Sequence, residues 1–594
     1  MNDQVKYLVV FVMAFLFFTF PGILFVRAYA FNKLSKCITA TFTSLGFWIC
    51  TSWFISMVGL PLYITSYSLL ALFIAYFFAQ NIRKFKNGST ANPFQFKKIP
   101  LHYFILSFAL LVLTLPVYFI TIPPGCDTAM HGYITRLIIN SNSLPHSYRP
   151  ILPVDYFGSY SAGYHILTAL ISGVSVDFLR PAINLVSILV YPLTLLALIF
   201  SLKNFFSERT AIYTAIIFFG INHTYIGSIW WGGNPSMLSF AFCLFSFGLF
   251  IHAIQNSSGK EFYPLAFTIA AIPLTHAIPA ITFVYVSFLG YIFVLYHYRH
   301  SIKWIISRTA LLFIGVVILL LPFLLHFKNE NSPALLLMIK NWQDQMMGNK
   351  LTHNLSRNIL VTTHQVIQYR IGYIPTITAI VSCAFLVYFK KYTPVLYIGT
   401  FIVFICLLIL NSAYWVLPLS ELLYPERIVC FLIVCLSFLF GYFLTTLEFK
   451  QNIWTFFKGK ITPYCLIITV LLYLSFENMA NQSIGLCKEK QVNCNRYTRA
   501  AFDWINNNTE KDALFVATYA DAGMWIPTFT NRATLGTHLH FIHEVQHISD
   551  SLNAVKGPRY FFITPRDIKT NDDIMGKIKN KTKVYANQEI EIYK

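Results

Sequence analysis

The segment Pro123-Pro-Gly-Cys-Asp127-Thr-Ala-Met-His131 is polar in a chain that is otherwise a succession of apolar stretches. The chain has 594 residues, of which 56% are hydrophobic and only 11% charged. A second polar motif, Tyr160-Ser-Ala-Gly-Tyr-His165, follows in the same loop. A carboxylate and two imidazoles are costly to keep beside a bilayer, so they form a functional-site hypothesis in a membrane protein.

Uncharged runs of around twenty residues, the length that crosses a bilayer, recur along the chain. No small-residue cleavage site follows the first run, so we expect it to remain as an anchor. The predicted fold class is therefore an α-helical polytopic membrane protein of roughly fourteen transmembrane helices. These lie near residues 6–26, 37–59, 62–81, 102–121, 181–202, 210–229, 235–254, 262–278, 280–298, 304–325, 372–389, 393–411, 427–446 and 462–480.

The formal net charge of +20 is explained by basic residues that cluster in alternate short loops, as the positive-inside rule describes. With these loops in the cytoplasm, the 122–180 loop and the tail from residue 481 face outward. We therefore expect membrane lipids, and no nucleic acid, as partners. The expected location is the inner membrane of a bacterium, with the site and the tail extracytoplasmic.

Three parts follow along the chain. Residues 1–101 form accessory transmembrane helices with a basic linker. Residues 102–480 form the transmembrane core, whose outer loop, 122–180, carries the polar motifs. Residues 481–594 are polar and mix strand-like stretches with a helical opening, which predicts a small extracytoplasmic α/β domain.

Nine of the eleven cysteines fall in or beside apolar spans, where they behave as small hydrophobic residues. Cys487 and Cys494 lie in the tail instead. In an oxidising compartment such a pair indicates a disulfide, the alternative being two free thiols.

Residues 128–140 and 161–176 have apolar positions at helical spacing, and both are too short to span a bilayer twice. We expect two helices at the membrane surface, each with one wet face. Asp127 is four residues before His131, so both share a helix face if the helix begins at or before Asp127. Asp127 is then a general base, a metal ligand with His131, or only a helix cap. Because His165 lies in the same loop, the functional alternatives gain weight.

Other outward residues are weaker candidates. Tyr164 could stack on a sugar, and Asn234 after the Trp230-Trp231-Gly-Gly turn could make a polar contact. His276 is either a buried hydrogen-bonded histidine or part of the site. Arg427 either pairs with a carboxylate such as Glu421 or Glu426 or grips a phosphate with its planar guanidinium.

The order of these motifs resembles the GT-C glycosyltransferase superfamily, in particular a bacterial and archaeal branch with an extracytoplasmic tail. The resemblance runs from Asp127-x-x-x-His131 through Gly232-Gly-Asn-Pro235 and Leu274-Thr-His276 to Asp503-Trp504 and Trp525-Ile-Pro527. It covers roughly residues 102–594. Asp127 stands without the acidic neighbour found in the best-known members.

The resemblance implies transfer of a sugar from a polyprenyl-phosphate donor to a glycan, lipid or protein acceptor. Asp127 would be the base, His131 and His165 would orient the acceptor or the leaving phosphate, and Arg427 would hold the donor phosphate. No cofactor is certain, and a divalent metal is left open. Two alternatives are a polysaccharide polymerase or ligase with a lipid-linked donor, and a transporter or flippase, although we find no inverted repeat.

Overall fold

The structure is a computed structural model of the whole chain. It describes residues 3–594 except 30, 87–100, 121, 150–156, 158–159, 222–227, 229–230, 258, 348–372, 415–424, 450–472, 475, 486–494, 519–520 and 536–556.

The described part of the chain is mostly helical. The first helices are α1 (Asp3–Thr19), α2 (Gly22–Phe25), α3 (Lys33–Met57), α4 (Leu62–Lys86), α5 (Leu101–Thr114), α6 (Pro116–Phe119), α7 (Cys126–Ser141) and α8 (Gly163–Ser172). The core continues with α9 (Leu179–Lys203), α10 (Glu208–Ile221), α11 (Asn234–Gln255), α12 (Phe262–Thr275), α13 (Ala277–His297), α14 (Ile302–Met347), α15 (Tyr373–Tyr388), α16 (Tyr392–Tyr414) and α17 (Pro425–Phe449).

Within the described ranges, nine helices are long and apolar enough to cross a membrane, and further apolar helices are shorter. Every predicted span from the first to the thirteenth contains a helix. Most of the last, 462–480, lies outside the described residues. The polytopic helical class is confirmed, while the number of spans stays a prediction.

The core is built around α9 and α11, whose side chains are nearly all buried. The two helices approach closely because Gly248 has no side chain there. A Cβ atom at this position would lie 2.5 Å from the Cα atom of Ser201. The carbonyl oxygen of Gly248 accepts a hydrogen bond from Asn204 Nδ2 at 2.9 Å, which joins the ends of both helices.

The two outer-loop helices differ from the prediction. Every residue of α8 is buried, so its expected wet face is absent. Most described side chains of α7 are buried too, and its exposed side chains, Asn140 and Ser141, lie at its C-terminal end. The reason is that α8 packs against α7, α9 and α3, and that the tail covers the other side of α7. Amphipathic spacing within a helix cannot show that a distant domain covers its polar face.

The tail is a small α/β domain, as predicted. Its helices are α18 (Arg496–Asn508), α19 (Ile526–Thr530), α20 (Pro565–Thr570) and α21 (Asp572–Ile578), and its strands are β1 (Leu514–Val516), β2 (Ala533–Thr534), β3 (Arg559–Ile563), β4 (Lys583–Ala586) and β5 (Glu591–Tyr593). The strand order is β2-β1-β3-β5-β4. Strand β1 runs parallel to β2 and β3, with Phe515 opposite Tyr560, and the β3–β5 and β5–β4 pairs are antiparallel.

The tail docks on α7 through specific hydrogen bonds. Arg136 Nη1 donates to the carbonyl oxygen of Thr528 at 2.6 Å, and Thr528 Oγ1 donates to the carbonyl oxygen of Ala129 at 3.0 Å. Burial, together with the positive charge of Arg532, lowers the pKa of Arg136 to about 10. At the chain start, Asp3 forms ion pairs with Arg180 at 2.9 Å and with Arg499 at 2.7 Å. The tail and the 122–180 loop therefore lie on the same side of the helical core.

Which compartment this side faces is a prediction that labelling can test. In a Cys37→Ser background, which removes an exposed thiol, Asp573→Cys should react with a membrane-impermeant maleimide in intact cells, because the Asp573 side chain is 77% exposed on the tail. Lys391→Cys, in a predicted cytoplasmic loop, should react only after the membrane is breached. The reverse pattern would invert the topology.

Candidate functional site

The site begins at the first turn of α7. The N-cap is Gly125, with φ of 107° and no side chain to cap the helix. Asp127 lies inside the first turn, so the capping alternative for Asp127 is wrong. Its carboxylate lies where the unpaired N–H groups and the helix dipole favour a negative charge. Capping therefore does not account for Asp127.

The turn before α11 packs directly against this helix start. Gly232 has φ of 95°, which L side chains rarely adopt, and a Cβ atom there would lie 2.5 Å from the Thr128 nitrogen and 2.8 Å from Asp127 Cβ. A Cβ atom on Gly125 would in turn lie 2.5 Å from the Gly232 nitrogen. Two glycines thus let two backbone segments touch, and they set Asp127 beside Trp231 and Gly232.

A pair of buried histidines holds the turn. His131 Nε2 lies 3.0 Å from the carbonyl oxygen of Gly232, and His131 Nδ1 lies 3.1 Å from His165 Nε2. A carbonyl oxygen only accepts, so His131 Nε2 must carry a proton. In the neutral pair His131 Nδ1 then accepts from His165 Nε2–H. Burial lowers the pKa of His165, and the charge of His131 lowers it further, which favours this neutral arrangement.

Arg427 reaches the same turn from the other side of the core. It lies in the first turn of α17, and its guanidinium carbon is 3.8 Å from the centroid of the Trp231 ring. A guanidinium stacked on an indole is held in plane by cation–π attraction and keeps its N–H groups at the edge for other partners. The side chain of Glu426 and all of Glu421 lie outside what the structure describes.

His276 joins the two charged groups electrostatically. It separates α12 from α13, and its Nδ1 accepts a hydrogen bond from the Ile278 N–H at 3.3 Å. The imidazole of His276 lies within electrostatic range of both Arg427 and Asp127. Burial raises the pKa of Tyr160, and the charge of Asp127 adds to the effect. Asp127, Arg427, His276 and Tyr160 therefore share one region.

Two predicted contact residues are core residues by environment. Tyr164 is fully buried, and its hydroxyl is 2.7 Å from Ser187 Oγ. Asn234 is also fully buried at the start of α11, and neither polar atom of its side chain has a hydrogen-bond partner within the described part of the chain. The predicted substrate contacts of both residues stay predictions. Of the two, Asn234 is the stronger candidate for a substrate contact, because its buried side-chain amide beside Gly232 is unsatisfied within the described residues.

The described residues do not assemble a metal-ligand set. No group of three or more Asp, Glu, His or Cys side chains meets within those ranges. His131, the predicted co-ligand of Asp127, has both ring nitrogens in hydrogen bonds. The Cys487–Cys494 disulfide lies outside the described residues and stays a prediction.

Sequence reasoning missed the contributions of Gly125, Gly232 and the tail to this site. The two glycines act through backbone contact, and the sequence signal was only their place in polar turns. Trp525 and Thr528 of the tail line the far side of α7, within 3 Å of where a Cβ atom of Gly132 would lie. No local pattern connects residues so far apart in the chain.

The family assignment rests on the length of the match. A model of the family of unknown function DUF6541 matches residues 15–449, most of the chain. The chain belongs to this family. No curated protein matches the DUF6541 chain in sequence.

Solved structures with a similar fold are GT-C enzymes. The oligosaccharyltransferase AglB of Archaeoglobus fulgidus, in complex with an inhibitory peptide and a dolichol-phosphate, has a TM-score of 0.52 at 12% identity, covering 80% of this chain and 70% of that one. ArnT of Cupriavidus metallidurans bound to undecaprenyl phosphate has a TM-score of 0.51 at 10% identity, covering 83% of this chain and 97% of that one. The DUF6541 chain therefore has the GT-C fold, as its motif order suggested.

Gly232→Ala should separate the turn from α7. The added methyl group would meet the Thr128 nitrogen at 2.5 Å in a strained backbone conformation, and overpacking and strain each cost about 1–3 kcal/mol. Thermal unfolding in detergent should show a clear loss of stability.

Gly59→Ala is the matched control for this variant. Gly59 has φ of 71°, and no atom would lie within 4 Å of an added Cβ. Gly59→Ala therefore introduces the backbone strain without any steric contact. Equal losses in the two variants would show that the contact of Gly232 with α7 is unimportant.

Proposed function

We propose that this chain is an integral membrane glycosyltransferase that moves a sugar from a polyprenyl-phosphate donor to an extracytoplasmic acceptor, with Asp127 as general base. The observation that carries the proposal is the meeting of Asp127 and Arg427 on one turn. Asp127 Cβ packs on Gly232, and Arg427 stacks on Trp231, the preceding residue. A carboxylate and a guanidinium that contact two adjacent residues of one turn suit a reaction that removes a proton at one point and releases an anion at another.

Asp127 supplies the base. The acceptor hydroxyl oxygen attacks the anomeric carbon of the donor sugar, and its proton passes to the Asp127 carboxylate. The bond from the anomeric carbon to the phosphate oxygen breaks, and the electron pair leaves with the lipid phosphate. Because a phosphate is a good leaving group, one base and charge stabilisation suffice, and no acid is needed.

Arg427 stabilises the leaving phosphate. Its guanidinium carbon lies 3.8 Å from the centroid of the Trp231 ring, and a guanidinium is suited to a planar, two-point contact with phosphate oxygens. Negative charge develops on these oxygens as the sugar departs. A fixed cation there stabilises the transition state more than the ground state, which is what accelerates the step.

His131 and His165 act as positioning residues in this scheme. Their ring nitrogens bind each other and the Gly232 carbonyl oxygen, so they hold the turn that carries Trp231 against the helix that carries Asp127. Direct contact of these histidines with acceptor or phosphate stays a prediction.

The fold supports a transferase over the other readings. Two solved structures that share it hold a dolichol-phosphate and an undecaprenyl phosphate, respectively. A polymerase or ligase with a lipid-linked donor would use the same chemistry with a glycan acceptor. The sugar and the choice among glycan, lipid and protein acceptors are open, so tests must use a panel of donors.

Asp127→Asn should abolish transfer while leaving the protein folded. The amide keeps the shape of the carboxylate but cannot take a proton, and general-base catalysis contributes about 10²–10⁴ in rate. The assay measures release of polyprenyl phosphate from a panel of polyprenyl-phosphate hexoses in membranes. Asp177→Asn, an exposed carboxylate in the same loop, is the control. Full activity in Asp127→Asn would refute the assignment.

Arg427→Lys should weaken donor use more than folding. The ammonium keeps the charge but loses the planar two-point contact and the stacked geometry. We expect the KM for the donor to rise about tenfold, with unchanged thermal stability. Arg308→Lys is a matched control, because Arg308 lies 6.0 Å from the Trp304 ring in a helix far from the site. Loss of stability with unaltered KM would make Arg427 a structural residue.

A further inference from the structure

A second feature lies at the opposite end of the helical core. A cavity of about 830 Å³ opens between α1, α3 and α9. The site end of α3 is marked by Ser56, whose Oγ accepts a hydrogen bond from the Leu144 N–H at 3.1 Å. Lys33 begins the same helix of 25 residues, about 34 Å from Ser56 by helical rise. The cavity is lined from Lys33 inward, so it is separate from the Asp127 site.

The cavity has an apolar body and a basic mouth. Its walls are mainly aromatic and aliphatic, with Ala14 and Leu193 among them, while Arg27, Lys33 and Lys36 line one end. No acidic side chain lines it within the described part of the chain. The side chain of Phe15 lines the cavity and is also 61% exposed on the outer face of α1. The cavity therefore opens sideways, toward the bilayer.

The positive charge at the mouth is held in place without being neutralised. The guanidinium of Arg27 donates to Gln80 Oε1 at 2.6 Å and to Asn81 Oδ1 at 2.9 Å, and both acceptors are uncharged amides. The first turn of α3 carries Lys33 and Lys36 and no acidic residue, although a helix N-terminus favours negative charge. An anion at this mouth would complement all three cations.

The depth of the cavity matches one leaflet. Along α3 the lining runs from Lys33 to Phe42, and along α1 from Thr19 back to Phe11. Nine residues of helix rise about 13 Å, somewhat less than half of the roughly 30 Å hydrocarbon core. The acyl chains of one leaflet extend over about 15 Å, half of that core, whereas a long polyprenyl chain continues beyond it.

We propose that this cavity binds an anionic diacyl phospholipid of the leaflet opposite Asp127. The phosphate would lie among Arg27, Lys33 and Lys36, and an acyl chain would run inward past Ala14 and Leu193. Basic pockets between transmembrane helices are known to hold anionic head groups. The proposal is independent of the transferase activity, because none of these residues belongs to the Asp127 site.

The test is lipid binding to the full chain, purified in detergent and freed of native lipid. Phosphatidylglycerol and phosphatidylcholine are titrated separately, and bound lipid is counted by native mass spectrometry. The Lys33→Gln/Lys36→Gln variant should bind phosphatidylglycerol about thirtyfold more weakly, since each of the two lysines near an anionic head group contributes about 1 kcal/mol. The matched control is Lys390→Gln/Lys391→Gln, two exposed lysines in another basic loop, which should bind as the parent does.

A second variant tests the cavity rather than the surface charge. Ala14→Phe fills the apolar wall and should lower phosphatidylglycerol binding while the three cations remain. Thermal unfolding confirms that each variant is folded. The proposal is overturned if phosphatidylcholine binds as tightly as phosphatidylglycerol, or if the double-lysine variant matches its control. It is also overturned if undecaprenyl phosphate binds in preference to the phospholipid. If a folded Ala14→Phe binds like the parent, the lipid lies on the surface and the cavity assignment is wrong.

Discussion

The contact between Gly232 and the first turn of α7 is the constraint on which the site depends. Two backbone segments touch there because neither Gly125 nor Gly232 carries a side chain. The contact fixes Asp127 and Arg427 relative to each other, since Asp127 belongs to one segment and Trp231, which contacts Arg427, belongs to the other. His131 reinforces it by donating a hydrogen bond from Nε2 to the Gly232 carbonyl oxygen.

The same constraint explains why so much polar chemistry is tolerated in an apolar protein. Several buried polar groups of the site contact one another: His165 Nε2 contacts His131, His276 Nδ1 accepts from the backbone at the start of α13, and the Tyr164 hydroxyl contacts Ser187. Within the described residues, His165 Nδ1 is left without a hydrogen-bond partner. Networks of this kind are stable only when nearly complete, because an unsatisfied polar group in a low-dielectric interior costs free energy. Asn234 stands apart, which suits a group that meets substrate.

Local sequence patterns predicted the positions of the helices and strands well, but they predicted poorly which segments pack against each helix. The apolar runs located the helices, and alternation around residues 514 and 560 located two strands of the tail. The candidate residues Asp127, His131, His165, His276 and Arg427 were found because polar side chains are conspicuous beside a bilayer, and the structure brings them together. The burial of α7 and α8 could not be predicted, because an amphipathic pattern shows which face of a helix is polar but not which distant segment packs against that face. The roles of Gly125 and Gly232 depend on backbone contact between segments that share no pattern.

The docking of the tail on α7 has a consequence for biosynthesis. The hydrogen bond from Arg136 to Thr528 joins residues 392 positions apart. Ribosomes make the N-terminal part first, so α7 must wait for nearly the whole chain to be translated before its outer face is covered. During that interval α7, which carries Asp127, lacks its Thr528 partner. The site is therefore completed only when synthesis is almost finished. A chain that stops before residue 528 contains every long apolar helix of the described core, but the outer face of α7 stays uncovered.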